Sequence, residues 1–268
     1  MEPLRHLIES LRPYHGAVLA FVVALAVGLV GRWMRRPPPP GLAAGVGALA
    51  GWVFTFGLPT ASPRQLPERL PLLLLALVAL TPVLGRVARR WRWLGLPLAV
   101  LCAIGVGWWM SGAPLILPDL RRAALPLAGI AAAALLLALL AREAWAAPVA
   151  TSVLLLGFMG AALRGPHMLL GGALFAAALG ASLVLPGRSG SGPNAALANL
   201  PVAGTLAALA ALPVIARGSG PDWAAGLSPL LALAVGAPIG ASVSRRLGAP
   251  LGALLAGVAS ALLAFFMR

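Results

Sequence analysis

The chain is 268 residues long, 60% hydrophobic and only 10% charged, with a mean hydropathy of +0.96. This excludes a soluble globular domain, whose surface must be wetted by polar groups. It leaves room for about ten apolar spans of about 20 residues each, and no sizeable soluble domain. The formal charge of +14 does not point to nucleic acid. Every basic residue is an arginine, and the arginines sit in short gaps between apolar runs, where they set orientation and attract anionic headgroups.

Residues 1–12 read as a short interfacial helix. The apolar run behind it is too long for a signal-peptide core, so a retained segment is expected. The apolar segments then follow at 16–34, 41–60, 70–85, 94–113, 123–141, 144–163, 168–187, 195–216, 223–244 and 247–267. The third is short, which implies a thin local bilayer or a helix that continues past Arg86. Only Arg142 and Glu143 separate the fifth from the sixth. Forty residues are too many for one helix, so two spans and a tight turn are expected. The reading is an all-α, polytopic integral membrane protein of about ten transmembrane helices, a single transmembrane domain over 1–268, in a bacterial inner membrane.

Ten spans place Arg32, Arg35, Arg36, Arg86, Arg89, Arg90, Arg92, Arg142, Arg188, Arg245 and Arg246 on one side. The remaining arginines fall on the other side, together with Glu2, Glu9, Glu68, Asp119 and Asp222. The denser arginine clusters mark the cytoplasmic side, so both termini are expected outside. Trp33, Trp91, Trp93, Trp108, Trp109, Trp145 and Trp223 lie near segment ends, as interfacial anchors do.

A shift of 156 residues lays Leu75-Ala76-Leu77 on Leu231-Ala232-Leu233, Pro82 on Pro238 and Arg89-Arg90 on Arg245-Arg246. After a three-residue gap, Pro97 falls on Pro250. This predicts parallel repeats over 16–112 and 172–267, linked by two helices in 123–163.

No segment interior contains an acidic, basic or histidine residue. Intramembrane charges are expensive and kept where they work, so their absence argues against proton coupling. His6, His15 and His167 form no His-x-x-x-His or Glu-x-x-His pair, and no nucleophile elbow or P-loop occurs. Neither catalysis nor a metal or other cofactor is expected. Glu68, Asp119 and Asp222 read as solvated loop charges. Gly187-Arg188-Ser189-Gly190-Ser191-Gly192 reads as a flexible connector.

What remains is proline and amide. Pro82 and Pro238 lie near the ends of the third and ninth segments, and Pro97 and Pro250 near the starts of the fourth and tenth. Paired helix breaks in corresponding halves point to a transport site. Asn194 and Asn199 are the two asparagines of the chain. Asn194 is placed as the N-cap of the eighth helix. Asn199 lies inside it, where an amide needs a neighbouring helix or a polar substrate. Thr55, Thr81, Thr151, Ser152, Ser182, Thr205, Ser228 and Ser260 read as helix-packing residues.

The expectation for function is a small permease acting on a neutral or apolar molecule. Its site is placed at Asn199 and Thr205 and at the backbone near Pro82, Pro238, Pro97 and Pro250. The alternative is a non-catalytic scaffold or assembly subunit. The expected partners are the bilayer, anionic headgroups at the arginine clusters, and another copy or a membrane subunit. Nucleic acid is not among them.

Overall fold

The structure is a computed structural model that describes residues 14–58, 63, 65–185, 193–244 and 247–268. The interfacial helix expected over 1–12, the connector at 187–192 and the arginines at 64, 188, 245 and 246 lie outside these residues. Among the described residues the regular structure is helical. The helices are α1 His15–Trp33, α2 Pro40–Phe56, α3 Arg69–Arg90, α4 Gly95–Met110 behind a 3₁₀ turn at Arg92–Leu94, and α5 Leu117–Leu140. They continue with α6 Ala146–Gly160, α7 Pro166–Val184, α8 Pro193–Ala216, α9 Gly220–Val243 and α10 Gly248–Phe266.

Eight of these helical stretches are long and apolar enough to cross a membrane. The exceptions are α2, of 17 residues, and α6, of 15. At 1.5 Å per residue they reach about 25 and 22 Å, short of a hydrocarbon core of about 30 Å. Both are inner helices. Trp52 of α2 and Phe158 of α6 are fully buried, so protein rather than lipid surrounds much of these elements. α3 runs on to Arg90, which resolves the short third segment as a longer helix. The residues around Arg142 and Glu143 form a turn between α5 and α6, as two separate helices require.

α8 is the axis of the bundle. Of its apolar stretch 89% is buried, against 22% for α1 and for α10. α2, α3, α4, α5, α7 and α9 all pack on it. α1 lies outside, against α2 and α7, and α10 lies outside on α6 and α9.

Small residues let the helix backbones touch. A side chain at Gly41 of α2 would strike the Ala198 carbonyl of α8. One at Gly107 of α4 would strike the Leu127 carbonyl of α5. Gly236 and Gly240 of α9 face Gly252 and Gly248 of α10 in the same way. Without a hydrophobic difference between lipid and helix, close van der Waals approach is the main source of association in a bilayer.

Hydrogen bonds reinforce the crossings. Trp52 donates its indole N–H to the Leu170 carbonyl at the start of α7, 3.0 Å away. This tryptophan is a buried strut, unlike exposed Trp33, Trp93 and Trp223 at helix ends. Arg32 donates to the Val184 carbonyl at 2.9 Å, a cation on the C-terminal end of α7.

The two sets of helices matched in sequence pack differently. α1 lies along α2, whereas α7 touches α8 only lightly, and α9 packs closely on α10 while α3 and α4 touch little. Pro97 and Pro250 do hold matching places, each third in its helix, where the missing N–H removes no intrahelical bond. Pro82 and Pro238 do not. α3 stays α-helical through Pro82, while α9 opens into a π turn over Ala232–Gly236 just before Pro238. The proline ring would collide with the carbonyl four residues back, and a wider turn gives it room.

Gly240→Ala is expected to lower stability in detergent by ~1–3 kcal/mol, because its methyl meets the Gly248 backbone, which cannot rotate away. Gly105→Ala in α4 meets nothing within 4 Å and should leave stability unchanged or raise it. Thermal unfolding of the two variants side by side checks the pair.

Candidate functional site

At the start of α8 several helix ends converge on a small cavity. Gly41 and Ala44 of α2, Ala147 and Ala150 of α6, Ala178 and Ala181 of α7, and Val202, Ala203 and Leu206 of α8 form its walls. Leu233, inside the π turn of α9, lines it too. Asn199 contributes an amide, and Glu143 of the α5–α6 turn a carboxyl group. The lining is therefore mostly methyl groups. The free space is about 20 Å³, enough for one water molecule. A larger solute could enter only after the surrounding helices separate.

Asn199 is 5% exposed. Its Nδ2 donates to the Ala141 carbonyl at 2.6 Å and, more weakly, to the Ala138 carbonyl at 3.4 Å. Both acceptors are at the C-terminal end of α5, where carbonyls lack intrahelical partners. The amide thus ties the middle of the bundle to the end of α5, at the cavity wall.

Thr205 is fully buried, and its Oγ1 has no hydrogen-bond partner. The other seven hydroxyls read as packing residues each donate to a carbonyl three or four residues earlier. Thr205 does not line the cavity, and neither do Pro82, Pro97, Pro238 and Pro250. Pro97 and Pro238 are exposed on the outside of the bundle. Of the six residues singled out in the sequence, the structure brings Asn199 alone to the cavity. Asn194 is the second residue of α8 rather than its cap, and its Oδ1 is buried without a partner.

Asp222 corrects a second expectation. It is not a solvated loop charge but completely buried, in the first turn of α9. Its carboxylate accepts from the Ser219 hydroxyl at 2.6 Å, the Ser219 backbone N–H at 3.2 Å and Arg217 Nε at 3.2 Å. Arg217 Nη2 closes a second bond to the other carboxylate oxygen. Anionic charge at a helix N-terminus is favourable, and every donor here is local. The signal was present as Ser219-Gly220-Pro221-Asp222, the Ser-x-x-Asp spacing that starts a helix. The alanine walls carried no such signal, since alanine is common throughout the chain. No group of three histidine, cysteine or acidic side chains able to hold a metal occurs among the described residues.

An all-helical chain with eight helices long and apolar enough to cross a bilayer is built as a multi-pass membrane protein. Comparison with family models, curated proteins and solved structures gives no match.

Asn199→Ala is expected to cost about 1 kcal/mol through loss of the tie to α5. Thr205→Val removes an unpartnered hydroxyl at nearly constant volume and should raise the unfolding temperature. Equal losses in both variants would contradict these roles.

Proposed function

We propose that the chain is a ten-span permease-like protein of a bacterial inner membrane, and that the alanine-lined cavity at Asn199 is the closed form of its path for a small neutral or apolar molecule. The observation that carries this reading is the position of the cavity. It lies beside the most buried helix, where five other elements meet it, and it includes Leu233 from the π turn of α9. A π turn is a local loosening of the helix and is frequent at functional sites. Short inner helices α2 and α6 begin at the same place. Movement of their first turns would widen the cavity without breaking the outer contacts of α1 and α10. Walls made mostly of methyl groups suit a solute with little charge, and the polar lining is the Asn199 amide and Glu143 of the α5–α6 turn. Catalysis has no part in the proposal.

One observation favours the alternative, a non-catalytic assembly subunit. The cavity has room for one water molecule only, and dense packing of small residues is what a static scaffold needs.

Cysteine labelling separates the two. Ala203→Cys is placed in a Cys102→Ala background, and a membrane-impermeant maleimide is applied to vesicles of each orientation. The permease predicts labelling from both faces, because the path opens alternately. Labelling from neither face, or from one face only, supports the scaffold and sinks the permease.

A further inference from the structure

A second, larger concavity lies at the opposite ends of the helices. It is an open groove of about 370 Å³ between the start of α3, the end of α4 and the start of α5, with Ile215 from the end of α8 at its back. We infer that this groove binds the phosphate headgroup of an anionic phospholipid. The inference needs only that the helices lie in a bilayer, and it stands or falls separately from the permease reading.

The polar lining is arginine-rich. Arg69 at the start of α3 and Arg122 on α5 line it together with Asp119 and Ser111. Arg69 is held in place from both sides. Its Nη1 donates to the Trp109 carbonyl at 3.0 Å, and the Trp109 indole N–H donates to the Arg69 carbonyl at 3.0 Å. One of its five guanidinium donors is engaged in that way, which leaves a fixed fork directed by the tryptophan. Gly112 sits beside it: a Cβ there would lie 3.8 Å from Arg69 Nη1, and the residue has φ +103°. The left-handed backbone favours glycine, and a Cβ there would be in ordinary contact with the guanidinium.

Arg122 is barely restrained. Its contact with Asp119 is 3.7 Å long, between side chains 84% and 52% exposed. An exposed pair of that length is weak and yields easily to a phosphate.

The remaining lining explains why a lipid fits better than a free phosphate. Leu66, Met110, Pro126 and Ile215 form apolar walls. Just outside, Leu115 and Leu125 are 88% and 84% exposed. Of the apolar stretch of α5 only 28% is buried, so its outer face continues from the groove toward the bilayer. A positive end joined to an apolar track is complementary to a headgroup joined to its acyl chains. A free phosphate would leave the track empty, and a cation would meet two arginines.

The test uses the full chain, delipidated in a neutral maltoside detergent and titrated with phosphatidylglycerol or phosphatidylcholine, with bound lipid counted by native mass spectrometry. One phosphatidylglycerol should bind in preference to phosphatidylcholine. Arg122→Gln and Arg69→Gln should each weaken it about fivefold, the effect of one arginine near a charged surface. Arg89→Gln, exposed at the other end of α3, should not. Among the described residues Arg122 makes no hydrogen bond beyond its loose contact with Asp119, so its variant remains informative if Arg69→Gln fails to fold. Equal binding of the two lipids, or unchanged binding by Arg122→Gln, would overturn the site. Displacement by equimolar glycerol 3-phosphate would place the affinity in the free headgroup and overturn the lipid assignment.

Discussion

Backbone-to-backbone contact is the interaction on which the rest of this molecule depends. In a bilayer a leucine gains little by leaving lipid for protein, so helices associate where their main chains can approach closely. Gly41 against the Ala198 carbonyl, Gly107 against the Leu127 carbonyl and Gly160 against the Ala261 carbonyl are such points. They join α2 to α8, α4 to α5, and α6 to α10. Each contact is made by an atom that cannot rotate aside, which fixes the depth at which one helix crosses the next. Many leucines, including Leu125, Leu255 and Leu262, point outward and are exposed. They hold the protein in the membrane rather than holding it together.

Against this apolar background the few polar groups act as ties at chosen places. Asn199 satisfies carbonyls at the end of α5 that no intrahelical donor can reach. Trp52 adds a donor from α2 to the Leu170 carbonyl of α7. Asp222, Arg217 and Ser219 form a closed local set that starts α9. Thr205 differs from these, since its buried hydroxyl is unpartnered. It lies in the same helix as Asn199 and the cavity wall, in the part of the bundle where packing alone sets the structure.

Much of the fold was legible in the sequence because crossing a membrane is a local requirement. Segment 16–34 became α1, and 168–187 became α7, with ends shifted by a few residues. The boundary at Arg142 and Glu143 was readable because charge interrupts an apolar run. Less of the candidate site was readable. Asn199 stood out as a rare amide, and it does reach the cavity. The prolines stood out equally. Yet a proline in the first turn of a helix, as Pro97 and Pro250 are, disturbs no hydrogen bond and need not open anything. The burial of Asp222 was hidden because sequence adjacency to glycine and proline reads as a loop, while the first turn of a helix can begin there too.

By itself the sequence determined that the chain is helical, apolar and multi-pass, and where most of its helices begin and end. These follow from the transfer of each segment into hydrocarbon and from the need to satisfy its own backbone. Only the tertiary structure decided which helix is central. Periodicity separates an inner face from an outer one when water wets the outside, and here both lipid and protein interior are apolar. The burial of α8, the placing of short α2 and α6 inside, and the meeting of Asn199 with Leu233 depend on which glycine finds which carbonyl. That is a property of pairs of segments, and no single segment carries it.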